Sequence, residues 1–151
     1  MELSSSVKQY LMDKKLNCVL LIDDDEPTNF FNQMIVEESG CAAQVRTIQG
    51  GQEALEYLLN TSDEAGMPRP DLIFLDINMP AMNGWEFLEK YKSLSHENKG
   101  RVMVVMLTTS LFPEDKSKAE DLPEVSGFEN KPLTPEKLER ILKQYFDIGV
   151  Q

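Results

Sequence analysis

The chain has 151 residues, enough for one domain, and a domain of that length buries roughly 68–70% of the surface its unfolded chain exposes, so it needs no covalent staples. Acidic residues outnumber basic ones 26 to 15, a net charge of −11, which argues against nucleic acid as a partner because phosphate backbones call for a basic face. No apolar stretch approaches the roughly 18 residues of a membrane span, and the start, Met1-Glu2-Leu3-Ser4-Ser5-Ser6, lacks the basic and apolar regions of a secretory signal.

Residues 1–16 are polar with scattered apolar positions (Tyr10, Leu11, Leu16) and are expected to form a partly ordered or disordered N-terminal extension. Val19-Leu20-Leu21-Ile22 then runs into Asp23-Asp24-Asp25. A short apolar run of this kind reads as a strand buried on both faces, as in parallel sheets. Asp25-Glu26-Pro27 starts a helix, with an acidic cap and proline in the first turn. Phe30, Phe31, Met34 and Ile35 are expected to supply its buried stripe, and Gly40 to end it. Cys18 and Cys41 have no metal-ligand spacing and are expected to be buried free thiols, in keeping with a reducing cytosol.

Ala42 to Ile48 reads as a weaker second strand, and Gln52 to Asn60 as a helix with Ala54, Leu55, Leu58 and Leu59 inward. Thr61 to Pro70 is a polar loop. Leu72-Ile73-Phe74-Leu75 forms a third strand ending on Asp76, and Met79-Pro80 and Asn83-Gly84 mark turns. Trp85 to Leu94 follows as a helix with Trp85, Leu88 and Tyr91 on one face. The fourth strand, Arg101 to Leu107, gives way to Thr108-Thr109-Ser110. Pro113 to Asp121 is a charged helix with few apolar anchors and is expected to be the loosest. Val125 to Asn130 is a fifth strand whose Glu129 and Asn130 suit an edge, and it ends on Lys131-Pro132. Thr134-Pro135 caps the last helix, which carries Leu138, Ile141, Leu142, Tyr145 and Phe146.

Five strands alternating with five helices predict an α/β fold: a doubly wound parallel sheet, helices on both faces, right-handed crossovers. Open α/β sheets bind ligands at the carboxyl ends of their strands, where this chain places carboxylates, a hydroxyl and an ammonium. If the first and third strands are neighbours, Asp23, Asp24 and Asp76 converge, and their mutual repulsion raises at least one pKa. A hard divalent cation relieves that repulsion. Magnesium, which takes one or two carboxylates plus a phosphate, fits better than calcium, for which no spaced EF-hand ligands are present. A carboxylate beside magnesium can attack a phosphoryl group, with Lys131 and Thr108 available to neutralise the charge that develops. Each of these residues alone has a plainer explanation as a cap, a turn or a solvated loop. Their joint occurrence at four strand ends is what carries the argument.

The combination resembles the receiver domain of two-component response regulators, in particular stand-alone receivers similar to the chemotaxis regulators. The carrying segments are Leu21-Ile22-Asp23-Asp24-Asp25, Leu75-Asp76-Ile77-Asn78-Met79-Pro80-Ala81-Met82-Asn83-Gly84, Met106-Leu107-Thr108-Thr109-Ser110 and Gly127-Phe128-Glu129-Asn130-Lys131-Pro132. The resemblance covers residues 17–147, leaving 148–151 as a tail, and implies a flavodoxin-like five-stranded sheet of order 2-1-3-4-5 with five helices. It implies Asp76 as phosphoacceptor, served by a sensor histidine kinase or a histidine phosphotransfer protein. Magnesium (or manganese or another divalent cation) would be held by Asp24, Asp76 and the backbone carbonyl of Asn78, with Asp23 acting through a water. Lys131 would pair with the phosphate, and its bond to Pro132 is typically cis in the family. Thr108 and Phe128 would be the switch residues, Phe128 standing where relatives often have tyrosine, while Asn78 and Ser110 would tune dephosphorylation. The Thr108-Thr109-Ser110 run and the loop 61–70 also look like the regulators paired with phytochrome-type kinases.

The resemblance thus implies a cytoplasmic phosphorylation switch, monomeric or weakly dimeric, without nucleic-acid or membrane partners. Its output is expected through a downstream protein target or onward transfer of the phosphate, since nothing after about residue 147 is long enough for an output domain. A phosphatase of the haloacid dehalogenase type is the enzyme alternative, but it wants a second acid two residues after the nucleophile, where this chain has Asn78. A binding module that works without phosphate is the third possibility.

Overall fold

The structure, a computed structural model, describes residues 15–62, 64–94 and 102–146. Ten elements alternate along the chain: β1 (Leu16–Ile22), α1 (Glu26–Ser39), β2 (Ala42–Ile48), α2 (Gly51–Leu59), β3 (Leu72–Leu75), α3 (Gly84–Tyr91), β4 (Met103–Thr108), α4 (Pro113–Asp121), β5 (Gly127–Asn130) and α5 (Pro135–Phe146). The strands form one sheet, ordered β2-β1-β3-β4-β5 and parallel throughout. This is the doubly wound flavodoxin-like architecture expected from the sequence, with β5 at an edge.

Strand side chains alternate between the two faces, and each face has its own core. Leu20, Ile22, Ile73, Leu75, Val104 and Met106 pack with α2 and α3. Val19, Leu21, Leu72, Phe74, Val105 and Leu107 pack on the other side, with Val36 of α1 and with Leu138, Ile141 and Leu142 of α5. Cys18 and Cys41 are buried free thiols.

Capping sets the helix starts. Asp25 accepts from the Thr28 amide at 3.1 Å to open α1, and Gly40, with φ of 70°, closes it in the left-handed region that glycine tolerates best. Asn83 and Glu86 form a capping box at α3. Thr134 Oγ1 accepts from the Lys137 amide at 3.1 Å to open α5. Gly84 allows α3 to begin against the third strand's end, because a Cβ there would lie 2.5 Å from the Asp76 carbonyl oxygen. Across the same face Lys118 of α4 sits over the Trp85 ring, 4.7 Å from its centroid. The loop after α2 is pinned to the body, with Tyr57 Oη donating to Pro68 O at 2.6 Å and the Arg46 guanidinium donating to Gly66 O.

Several sequence expectations need correction. Helix α1 buries Asn29, Asn32 and Val36, while Phe30 and Phe31 are 59% and 62% exposed and Met34 is exposed as well. Residues 29, 32 and 36 share one face at helical spacing, and the Asn29 amide, bonded to the Asp23 carbonyl oxygen at 2.7 Å, turns that face toward the sheet. Leu59, expected inward, is exposed at the end of α2. Strand β4 takes in Thr108, β5 begins at Gly127, and β1 begins at Leu16, inside the stretch read as an extension. Only Ala119 is buried in α4, as its charged sequence implies. Residues 1–14 of the expected extension, the tail 148–151 and Arg101 lie outside the described residues.

Candidate functional site

Strand register builds the site. Ile22 of β1 pairs with Leu75 of β3, so the next residues, Asp23 and Asp76, leave the sheet side by side. Both are still held by backbone bonds beyond the strands: Asp23 N donates to Ile48 O at 3.1 Å and Asp76 N to Ile22 O at 3.0 Å. Asp23 and Asp76 are buried and Asp24 is exposed. One carboxylate oxygen from each of the three lies within 4.8 Å of the others. From the far side, Lys131 Nζ reaches Asp23 Oδ2 at 2.5 Å and Asp76 Oδ1 at 3.2 Å. The Lys131–Pro132 bond is cis.

The electrostatics follow from that geometry. Burial, and then the neighbouring Asp23 charge, push the Asp76 carboxyl up to about 6, against the opposing pull of Lys131. Burial alone would lower the Lys131 ammonium, but its bonds to Asp23 and Asp76 outweigh burial and hold it above its ordinary value. Three carboxylates thus face one ammonium. The donors are all hard oxygens, and exposed Asp24 opens the cluster to solvent, so the residues fit a hard divalent cation.

The other expected residues lie around this nest. Thr108, the last residue of β4, is fully buried. Its Oγ1 accepts from the Ser110 amide at 3.0 Å, and its carbonyl accepts from the Lys131 amide at 2.8 Å. Ser110 Oγ donates to the Asp115 carboxylate in α4, and Ser110 O accepts from Asn130 Nδ2 at 3.1 Å. Phe128 pairs with Met106 across β4 and β5 and is partly buried against the α2–α3 core. Asn78 is exposed in the loop after β3. Asp23, Asp24, Asp76 and Lys131 are therefore brought into direct contact or near contact, and Thr108, Ser110, Phe128 and Asn78 stand on the adjoining strand ends and loops.

Sequence reasoning passed over two residues. Asn29 and Asn32 line a narrow crevice with Asp23, Asp76, Phe74 and Leu107, directly beneath the carboxylates. Asn29 Oδ1 is the one buried side-chain polar atom without a hydrogen-bond partner among the described residues. The signal was there to find: Asn29, Asn32 and Val36 share helical spacing as well as the apolar residues do.

Comparison with known proteins agrees with the geometry. The model of the response regulator receiver domain matches residues 19–143. A two-component response regulator from Cytophaga hutchinsonii superposes with a TM-score of 0.77 at 34% identity, covering 86% of this chain and 96% of that one. A bacteriophytochrome response regulator gives a TM-score of 0.69 at 28% identity, covering 90% of this chain and 80% of its own. A two-component response regulator of Arabidopsis thaliana is 30% identical over 144 residues, 95% of this chain and 94% of that protein. By contrast, the chain spans 7% of the length of hybrid signal transduction histidine kinase L of Dictyostelium discoideum.

Proposed function

This chain belongs to the response regulator receiver domain family, and from that premise we propose that it is a single-domain response regulator phosphorylated on Asp76. The donor is the phosphohistidine of a sensor histidine kinase or a histidine phosphotransfer protein, in a cytoplasmic setting. The observation that carries this reading is Asp76 itself: a buried carboxylate 3.2 Å from an ammonium and clustered with two further carboxylates at the end of a central strand.

In the proposed reaction an Asp76 oxygen attacks phosphorus, the phosphorus–nitrogen bond to the histidine breaks, and the leaving imidazole takes a proton. Bound magnesium, or manganese in its place, would neutralise charge on the phosphoryl oxygens. Asp24 and Asp76 would hold it together with the Asn78 backbone carbonyl, with Asp23 acting through a water. Lys131 exchanges its carboxylate partners for a phosphoryl oxygen. Thr108 turns its hydroxyl toward the same group, with Phe128 following by packing because it has no hydroxyl of its own. Asn78 and Ser110, small and polar, do not block a water, so the phosphate has a moderate lifetime and is lost by self-catalysed hydrolysis without steady enzymatic turnover. The surface of α4, β5 and α5, with a cavity of about 210 Å³ between Lys116, Ala119, Glu120 and Val125 to Phe128, then shifts its preference for a protein target, or the phosphate passes to another histidine.

Acetyl phosphate with magnesium tests this directly. Intact-mass measurement should show one hydroxylamine-labile phosphate, absent in Asp76→Asn. No gain, or an equal gain in the variant, overturns the assignment.

A further inference from the structure

We propose that Asn29 is a positioning residue for the acidic centre: its amide pins the backbone at Asp23 and thereby sets the affinity of the three carboxylates for a divalent cation. This rests on the metal-assisted reading above.

Helix α1 is folded against its own apolar pattern. It turns two asparagines to the sheet and leaves two phenylalanines in solvent. Burying an amide is unfavourable unless it is fully hydrogen-bonded, and exposing aromatic surface forgoes a favourable term. The arrangement is worse still because Asn29 Oδ1 has no hydrogen-bond partner among the described residues. Violations of local patterning concentrate where function requires them, and this one lies against the acidic centre. Asn29 Nδ2 donates to the Asp23 carbonyl oxygen at 2.7 Å.

Asp23 is consequently held at four atoms. Its amide is on Ile48 at 3.1 Å, and its Oδ1 is on the Asp25 amide at 2.9 Å. Its Oδ2 is on Lys131, and its carbonyl is on Asn29. The carbonyl is the joint between Asp23 and Asp24, so the Asn29 bond fixes how both carboxylates are presented. Groups that orient metal ligands in this way typically change affinity ten- to a hundredfold when removed.

Isothermal titration of the full chain with magnesium alone tests the proposal. Asn29→Leu keeps the branching and the number of side-chain heavy atoms, removes the donor and removes the unpartnered oxygen. Magnesium affinity is expected to fall about tenfold, while the melting temperature in metal-free buffer holds or rises. That split is one a merely structural role would not produce. Should the leucine variant fail to fold, Asn29→Ala carries the same readout.

An affinity within twofold of the parent overturns the proposal. So does an equal loss in Asn32→Leu, which alters the same crevice but leaves the Asp23 bond in place. Asp24→Asn separates this proposal from the reading beneath it. If the parent binds magnesium, Asp24→Asn does not and Asn29→Leu does, only the role of Asn29 falls. If the parent binds none, both fall.

Discussion

Helices α1 and α5 flank the same face of the sheet and enclose a cavity of about 290 Å³ lined by Ile35, Ser39, Pro135, Leu138 and Leu142, yet they bury opposite kinds of side chain. Helix α5 obeys amphipathic patterning: Leu138, Ile141 and Leu142 are buried where their spacing puts them. Helix α1 contributes Val36 and the partly buried Ile35 to the shared core and otherwise turns Asn29 and Asn32 inward. The buried residues of α5 pack into the apolar core, whereas the inner face of α1 runs up to the carbonyl of Asp23. A helix obliged to serve a charged centre gives up apolar burial to do so, and its neighbour supplies the stability it forgoes.

Five substitutions break or sharpen this contrast. The largest effect belongs to α5. Ile141, 2% exposed, anchors it, and Ile141→Ala should cost about 2–5 kcal/mol in urea unfolding. A loss as small as those at the outer face of α1 would erase the distinction. Next comes the charge that α1 faces. With the Asp76 carboxyl raised from 3.8 to about 6, the native state holds its proton more tightly than the unfolded chain. The stabilisation this gives is complete below about pH 4 and lost as pH rises through 6. Asp76→Asn should therefore be more stable than the parent at pH 8 without metal, by no more than about 3 kcal/mol. The gain should vanish near pH 4, as melts at the two pH values would show. In the parent, magnesium affinity should fall as pH drops through 6, because the proton competes for the same oxygens.

The caps should behave alike in the two helices. Asp25→Ala and Thr134→Ala should each cost about 1 kcal/mol, and unequal losses would mean that Asp25 does more than start α1. Smallest of all, Phe31→Ser on the outer face of α1 should change stability by less than about 0.5 kcal/mol, where the expected buried stripe would have demanded several.

The same contrast explains what could be read in the sequence. The sheet was legible because its central strands, buried on both faces, are nearly pure hydrocarbon and stop at charged residues. Asp23, Asp24, Asp76 and Lys131 were legible because a parallel sheet delivers its strand ends to one edge, so chain order predicts convergence. The face of α1 was not, since counting apolar residues assigns Phe30 and Phe31 inward, and only a three-dimensional partner, the Asp23 carbonyl, reverses the choice. The link from Thr108 through Ser110 to Asp115 was equally hidden, because it joins a strand end to a helix through a loop whose polar residues carry no period. Strand ends moved by a residue or two, as at Thr108, where a polar side chain is buried at the end of the ladder.

The chain has a single tryptophan. Trp85 follows the glycine packed on the Asp76 carbonyl, and the Lys118 ammonium of α4 lies over its ring. Trp85 is thus one residue along the chain from the contact with the acidic centre, and its ring lies under a cation from the helix with the fewest buried residues. Any displacement of α4 alters the field across the ring, and with it the colour and yield of emission. The protein carries its own optical gauge, and its response could be timed in a stopped-flow cuvette with no label attached.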